Sequence, residues 1–232
     1  MRTPLSLQDM PAQAARLPLV VDGSAPPPGD SFVVWYSGDV GWGRADRAIA
    51  SRLAARNLPV VGVDSLHYFW RRRSPEAAAE DLEAVIDTYA ERWGRQNVVL
   101  VGYSFGGAAI PLIVPRLSPE ARARLRRVVL LAPSRKGELV LRPWTLLEIS
   151  GFGAQRLADE MKQMEQAGSI PVLCISDPHD GVAACDVLAG TPVVNVTGGH
   201  RFNGASDAVA DAIAAGTGAS PLQGGSALSS GP

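Results

Sequence analysis

Hydrophobic residues along this chain follow two alternating patterns. Short β-branched runs are typical of strands buried on both faces of a sheet, and apolar residues that recur every three or four positions are typical of helices that bury one face. Strands are predicted, in chain order, over residues 17–21, 31–36, 59–63, 97–101, 127–131, 170–175 and 192–196. Helices are predicted between them over residues 44–56, 74–93, 105–116, 119–125 and 206–215.

This alternation predicts an α/β fold with a mostly parallel central sheet and helices on both faces. In such a sheet, ligands bind beyond the carboxyl ends of the strands. The strand ends that are followed by loops with distinctive polar residues are Tyr36, Val63, Val101, Ile175 and Val196. We expect a functional site where these loops converge.

The predicted elements define one α/β domain over residues 31–215. Residues 1–30 contain many prolines and glycines and form an N-terminal arm. Residues 64–73 are predicted to be an aromatic-rich loop, and residues 133–168 a cap or excursion over the sheet. The final stretch, 216–232, consists mainly of glycine, serine, alanine and proline, which predicts a disordered tail.

Composition narrows the functional class. The chain has 232 residues, of which 46% are hydrophobic, and this suits one large domain with its own core. A net charge of −1 gives no reason to expect direct binding to nucleic acid. A P-loop and a dinucleotide fingerprint are both missing, and two cysteines with three dispersed histidines do not suggest a zinc site. We therefore expect no cofactor and no metal.

Several features bear on membranes and on the cellular compartment. No apolar run is long enough to span a bilayer, and residues 1–13 lack the apolar core of a signal peptide. Basic residues cluster at 71–73 and between 116 and 127. These clusters are either solvated surface or a patch that binds anionic head groups or an acidic partner. Cys174 and Cys185 either pair in an oxidising compartment or are small buried apolar residues.

The motif Gly102-Tyr103-Ser104-Phe105-Gly106 follows the predicted strand over residues 97–101. A strand, a sharp turn and a helix start hold such a serine in a cramped backbone geometry, with its hydroxyl clear of the sheet. We interpret Ser104 as a nucleophile. The alternative is a tight turn whose serine only caps the helix.

A serine nucleophile needs a base and an acid that orients the base. His200 follows the last predicted strand and comes last in the order Ser, Asp, His, which is the order found in α/β-hydrolases. The acid is expected after the strand over residues 170–175, where Asp180 and Asp177 both qualify. We favour Asp180, which lies further past the strand and precedes Gly181, and keep Asp177 as the fallback acid.

Acyl transfer also needs two backbone donors that bind the oxyanion. One is expected to be the N–H of Phe105, directly after the serine. The other is expected from the glycine-rich loop after the first main strand, where Asp39 lies between Gly38 and Gly41. In this interpretation the backbone N–H of Asp39 donates, while its carboxylate faces the pocket mouth or holds the loop.

Aromatic residues near these loops are candidates for binding substrate. Trp42, Phe69 and Trp70 either line an apolar entrance for a lipid or pack in the core. His67 lies among aromatic residues and is either structural or part of the pocket lining. Tyr103, next to the serine, completes this set of candidates.

Five segments between about residue 30 and residue 215 carry a family resemblance. They read Tyr-Ser-Gly-Asp-Val-Gly-Trp (36–42), Val-Gly-Val-Asp-Ser-Leu-His-Tyr-Phe-Trp (61–70), Gly-Tyr-Ser-Phe-Gly (102–106), Val-Leu-Cys-Ile (172–175) and Gly-Gly-His-Arg-Phe-Asn-Gly (198–204). Together they resemble the AcvB/VirJ family of bacterial virulence-associated proteins. The first two segments are much more specific than the nucleophile motif alone.

The resemblance implies an α/β-hydrolase exported to the periplasm, and the lack of a signal-peptide pattern keeps the cytoplasm as the alternative. The implied reaction is hydrolysis of aminoacyl-phosphatidylglycerol, chiefly the lysyl ester, so the implied partner is an aminoacyl phospholipid. Some members of the family are linked to type IV secretion, which makes secretion-system proteins candidate partners. The resemblance also favours a disulfide between Cys174 and Cys185.

One departure from the family bears on the substrate. Family members commonly carry an acid where this chain has Ala108, so a carboxylate is missing from the first turn after the nucleophile. Two other functions stay open beside the aminoacyl-lipid hydrolase. One is a non-catalytic adaptor on a hydrolase scaffold that serves secretion, and the other is a carboxylesterase that acts on small soluble esters.

Overall fold

The computed structural model describes residues 12–21, 26–135, 139–141, 152–166, 170–188, 190–215 and 217. Its strands are β1 (Leu19–Val21), β2 (Ser31–Tyr36), β3 (Val60–Val63), β4 (Asn97–Tyr103), β5 (Leu125–Leu131), β6 (Val172–Ser176) and β7 (Val193–Asn195). Within the described residues they form one sheet with the order β1-β3-β2-β4-β5-β6-β7. β1 is antiparallel to β3 and the other neighbours are parallel, which confirms the predicted fold class.

The helices are α1 (Arg44–Ala55), α2 (Ser65–Tyr68), α3 (Pro75–Trp93), α4 (Phe105–Ile113), α5 (Pro119–Arg124), α6 (Phe152–Gln166) and α7 (Ser206–Ala214). Helix α3 begins as its sequence predicts, because the Ser74 hydroxyl accepts a hydrogen bond from the N–H of Ala77 and Pro75 is the first helical residue. In the described part of the chain, no helix is both long and apolar enough to cross a membrane.

Two predicted boundaries are corrected. The stretch over residues 64–73 is not all loop, because the Asp64 carboxylate accepts the N–H of His67 and so starts the short helix α2. β4 continues to Tyr103, where it still pairs with β5 at Leu131. Pairing on both sides therefore carries the central strand as far as the nucleophile motif.

The sheet separates two apolar layers. Because successive side chains of a strand point to opposite faces, Val34 and Leu100 pack on one side with α3, α4 and α6, and Val33 and Val99 pack on the other with α1 and α7. All four side chains are fully buried. The central strands are therefore covered on both faces, which holds their carboxyl ends in place.

Of the stretch over residues 133–168, which is predicted as a cap or excursion, the structure describes helix α6 and two short pieces, 133–135 and 139–141. Leu157 and Met161 of α6 are buried in the same apolar layer as α4, and Glu160 forms an ion pair with Arg116 at 3.3 Å. Helix α6 is therefore a crossover helix that packs on the sheet between β5 and β6. Residues 136–138, 142–151 and 167–168 of that stretch, and almost all of the predicted tail, lie outside the described residues.

Cys174 and Cys185 form a disulfide, with their Cα atoms 5.8 Å apart. Cys174 lies on β6, and Cys185 begins a short 3-10 helix beyond the loop that follows this strand. The bond thus joins the two ends of the segment that contains Asp177 and Asp180. The sequence left open whether the two cysteines pair or are separate buried apolar residues, and in the structure they are paired.

Candidate active site

Ser104 lies in a strained turn between β4 and α4, with φ 52° and ψ −112°. The neighbouring glycines allow this turn because backbone atoms approach them closely. A Cβ atom on Gly102 would lie 2.5 Å from the Gly106 carbonyl oxygen, and a Cβ on Gly106 would lie 2.5 Å from that of Tyr36. Any larger residue at either position would force the turn to move, so both glycines are required by the conformation of Ser104.

Ser104, His200 and Asp180 form a connected chain of hydrogen bonds. His200 Nε2 lies 3.0 Å from Ser104 Oγ, and His200 Nδ1 lies 2.6 Å from Asp180 Oδ2. The Asp180 side chain is 3% exposed, whereas that of His200 is 30% exposed. A buried carboxylate thus orients an imidazole whose other nitrogen can accept the serine proton.

The fallback acid Asp177 has a different role in the structure. Its carboxylate accepts three backbone N–H groups, from His179 at 2.8 Å, Gly198 at 2.8 Å and Gly199 at 2.7 Å. These bonds lower its pKa to about 2, since they stabilise the charged form. Asp177 therefore holds the backbone just before His200, while Asp180 contacts the imidazole itself.

Tyr103 supports the same histidine loop from below. Its hydroxyl donates a hydrogen bond to the carbonyl oxygen of His200 at 2.9 Å, and the two rings lie 5.8 Å apart. Burial raises the pKa of Tyr103 to about 12. Its predicted role in substrate binding is corrected, because the side chain is 6% exposed and its polar end is used by the loop.

The two predicted oxyanion donors lie on segments that flank Ser104. Phe105 is the first residue of α4, where a backbone N–H has no acceptor within the helix. On the other side, a Cβ atom at Gly38 would lie 3.5 Å from Ser104 Cβ, so the loop that carries Asp39 packs against the nucleophile. The buried Ser37 hydroxyl fixes this loop to the end of β3 by accepting the N–H of Ser65 at 2.9 Å.

Two of the predicted substrate-binding residues pack in or against the core. Phe69 is fully buried, with its ring 5.3 Å from that of Phe105. Trp42 is half-buried, and it packs over Gly62 and edge-on against Trp35, against the apolar layer that holds α1 and α7. An aromatic entrance that includes the Phe69 side chain is therefore excluded.

His67 and Trp70 are exposed. The His67 side chain is 72% exposed, and its Nδ1 lies 2.9 Å from the carboxylate of Asp64. Trp70 is 58% exposed, although it directly follows the buried Phe69. These two side chains therefore belong to the protein surface near the site.

Sequence reasoning missed Ser134. Its hydroxyl lies 3.4 Å from that of Ser104, and its N–H donates to the Ser104 carbonyl oxygen at 2.9 Å. The sequence held only part of the signal. Ser134 is the first polar residue after β5, but the place of β5 next to the nucleophile strand is seen only in the sheet. No group of three or more His, Cys, Asp or Glu side chains in the described residues is arranged to hold a metal ion.

Strand order and the turn that carries Ser104 define the α/β-hydrolase fold. Solved structures with this fold are similar to the chain over most of its length. Est1E from Butyrivibrio proteoclasticus has a TM-score of 0.56 at 17% identity, and 84% of this chain and 89% of that chain are covered. The thioesterase domain from the curacin biosynthetic pathway has a TM-score of 0.56 at 15% identity, with 84% and 94% covered.

A lipase-esterase related protein from Clostridium acetobutylicum has a TM-score of 0.53 at 17% identity, with 85% of this chain and 98% of that chain covered. At this level of identity, the likeness shows the fold. Residues 30–219 match the family described as bacterial virulence protein (VirJ), and the chain belongs to that family. No curated protein matches the chain in sequence.

Proposed function

We propose that this protein is a serine hydrolase that cleaves a carboxylic ester. The observation that carries the proposal is the position of His200, whose two ring nitrogens lie 3.0 Å from the Ser104 hydroxyl and 2.6 Å from the Asp180 carboxylate. A serine at its ordinary pKa is a weak nucleophile, and this arrangement supplies the base and the orienting acid that it needs.

In the proposed reaction, Ser104 Oγ attacks the ester carbonyl carbon while His200 Nε2 takes the hydroxyl proton. The negative charge on the carbonyl oxygen is met by the backbone N–H groups of Phe105 and Asp39. The imidazolium then gives its proton to the leaving alcohol, and an acyl-enzyme remains on Ser104. Water activated by His200 attacks this ester and releases the acid and the free serine.

The proposed substrate is an aminoacyl ester of phosphatidylglycerol, chiefly the lysyl ester, which yields a free amino acid and phosphatidylglycerol. Membership in the VirJ family supports this substrate. The disulfide between Cys174 and Cys185 supports a periplasmic location, because disulfides persist in oxidising compartments.

The structure bears on the missing acid at Ala108. This side chain is fully buried in the layer between α4 and the sheet, so a carboxylate here would have to be paired within the core. We propose instead that the carboxylate of Asp39 binds the cationic amino group of the aminoacyl substrate. Asp39 is half-buried and lies on the loop that packs against Ser104.

A fluorophosphonate probe followed by peptide mass analysis tests the nucleophile. The proposal expects one adduct, on Ser104, and no adduct in Ser104→Ala or His200→Ala. Initial rates on lysyl-phosphatidylglycerol and on a short-chain soluble ester then separate an aminoacyl-lipid hydrolase from a small-ester carboxylesterase. A folded wild-type protein that takes up no probe would contradict the proposal and favour a non-catalytic adaptor in secretion.

A further inference from the structure

Six large hydrophobic side chains are exposed among the described residues, and they fall into two groups. Three lie on the edge strands β1 and β7. The other three lie on separate loops at the carboxyl edge of the sheet, where the catalytic candidates are. They are Val40, which is 70% exposed, Trp70, which is 58% exposed, and Val182, which is 57% exposed.

Two of these side chains are tied closely to the catalytic candidates. Val182 donates its backbone N–H to the carboxylate of Asp180 at 3.0 Å. Val40 lies two residues after Gly38, which packs against Ser104. Each valine is therefore exposed to solvent only two residues along the chain from a residue at the site.

The backbone at Trp70 is held in place by its buried neighbour Phe69. The preceding residue, Phe69, packs its ring against Phe105, and its carbonyl oxygen accepts a hydrogen bond from the N–H of Leu141 at 2.8 Å. The backbone at Trp70 is thus anchored on the core beside the nucleophile, while its indole ring faces solvent. An indole that has an apolar body and one N–H suits the boundary between lipid and water.

Two cations follow Trp70 directly. Arg71 and Arg72 are exposed, and neither forms an ion pair within the described residues. Arg73 differs, because it pairs with Asp81 at 3.3 Å and lies over the ring of Tyr68. As far as the described residues go, the first two arginines have no carboxylate partner, and the third holds the loop on α3.

We propose that the surface formed by Val40, Trp70, Arg71, Arg72 and Val182, here called the rim, docks on an anionic phospholipid bilayer. The rim combines exposed apolar side chains with two positive charges that have no ion-pair partner among the described residues, and these complement the acyl boundary and the anionic head groups. Docking in this way brings Ser104 to an ester at head-group depth. The inference rests on the proposed function for its choice of a lipid as substrate.

The test measures binding without turnover. Ser104→Ala protein is sedimented with vesicles of phosphatidylcholine alone and with vesicles that also contain phosphatidylglycerol. We expect binding only to the anionic vesicles. Arg71→Gln/Arg72→Gln in the same background should weaken partitioning by about thirtyfold, since each arginine near an anionic surface contributes about fivefold. Trp70→Ala should also weaken it.

Arg126→Gln/Arg127→Gln is the matched control. It removes two adjacent arginines from β5 at the amino edge of the sheet, far from the rim, and changes the net charge by the same amount. The rim proposal is overturned if the control weakens binding as much as the rim variant does, or if wild-type protein ignores anionic vesicles.

Hydrolysis of a soluble aminoacyl ester by the enzyme with native Ser104 separates the two claims. Turnover of this ester without vesicle binding would overturn the rim and leave the proposed hydrolase intact. Vesicle binding that follows the pattern above, without turnover of any ester, would support the rim and contradict the proposed hydrolase.

Discussion

The hydroxyl of Tyr103 donates a hydrogen bond to the carbonyl oxygen of His200, 2.9 Å away. Tyr103 directly precedes Ser104 in the chain, so the residue next to the nucleophile holds the loop of its base. The contact joins the end of β4 to the loop after β7, which are far apart in sequence. The distance between Ser104 and His200 is therefore set partly by a residue that is not itself a catalytic candidate.

Tyr103→Phe removes this bond while keeping the ring. We expect kcat on a soluble ester to fall by about fivefold with KM little changed, since a loss of about 1 kcal/mol in positioning is of that size. Tyr89→Phe is the control, because it removes the hydroxyl of another buried tyrosine, on α3. An equal loss of kcat in both variants, or a change confined to KM, would contradict a positioning role for Tyr103.

The two aspartates after β6 should give different kinetic results. Asp180→Asn should lower kcat by about three to four orders of magnitude, since an amide does not orient and stabilise the imidazolium. Asp177→Asn should lower kcat much less and should lower the melting temperature instead, because it weakens the bonds to Gly198 and Gly199. Steady-state kinetics and thermal unfolding on both variants check this, and the reversed pattern would assign Asp177 as the acid.

The lowered pKa of Asp177 predicts how the stability of the protein depends on pH. Its pKa is lowered from the ordinary 3.8 to about 2 in the folded protein, so the folded state favours the charged form. The resulting stability is present above about pH 4 and is lost as pH falls toward 2. Chemical unfolding between these pH values should show a smaller loss of stability for Asp177→Asn than for wild type. If the free energy of unfolding fell equally steeply with pH in wild type and in Asp177→Asn, this contribution of Asp177 would be ruled out.

Much of the site could be predicted because each residue follows a recognisable strand. Ser104 was marked by its glycines and His200 by the last strand, whereas the choice between Asp180 and Asp177 depended on where a loop turns. Trp42 and Phe69 were ambiguous, because an aromatic residue after a strand can face the core or the site. Their layer is set by tertiary packing, which a single sequence does not specify.

Ser134 was missed for a related reason. Its closeness to Ser104 depends on β5 lying next to β4, and only the order of strands in the sheet shows this. Ser134→Ala should keep fluorophosphonate labelling and change the rate of labelling by less than about tenfold, because at 3.4 Å its bond to the nucleophile is weak. Complete loss of labelling in this variant would make Ser134, rather than Ser104, the candidate nucleophile.

The disulfide should stabilise the acid loop. Cys174 and Cys185 are separated by 11 positions, and closing a loop of this length is worth about 3 kcal/mol in the chain-entropy account. The double variant Cys174→Ala/Cys185→Ala should therefore lose about this much free energy of unfolding in urea. Wild-type protein with reductant should have the same free energy of unfolding as the variant. A urea midpoint that stays at the value of the oxidised wild type in both cases would contradict the expectation.

The measurement that tests the central claim most directly is the release of free lysine from liposomes that contain lysyl-phosphatidylglycerol. Wild-type protein is compared with Ser104→Ala, and circular dichroism shows that both are folded. The account predicts lysine release by wild type and none above background by the variant. Equal release by both proteins, or by neither, would contradict the claim that Ser104 cleaves an aminoacyl-lipid ester.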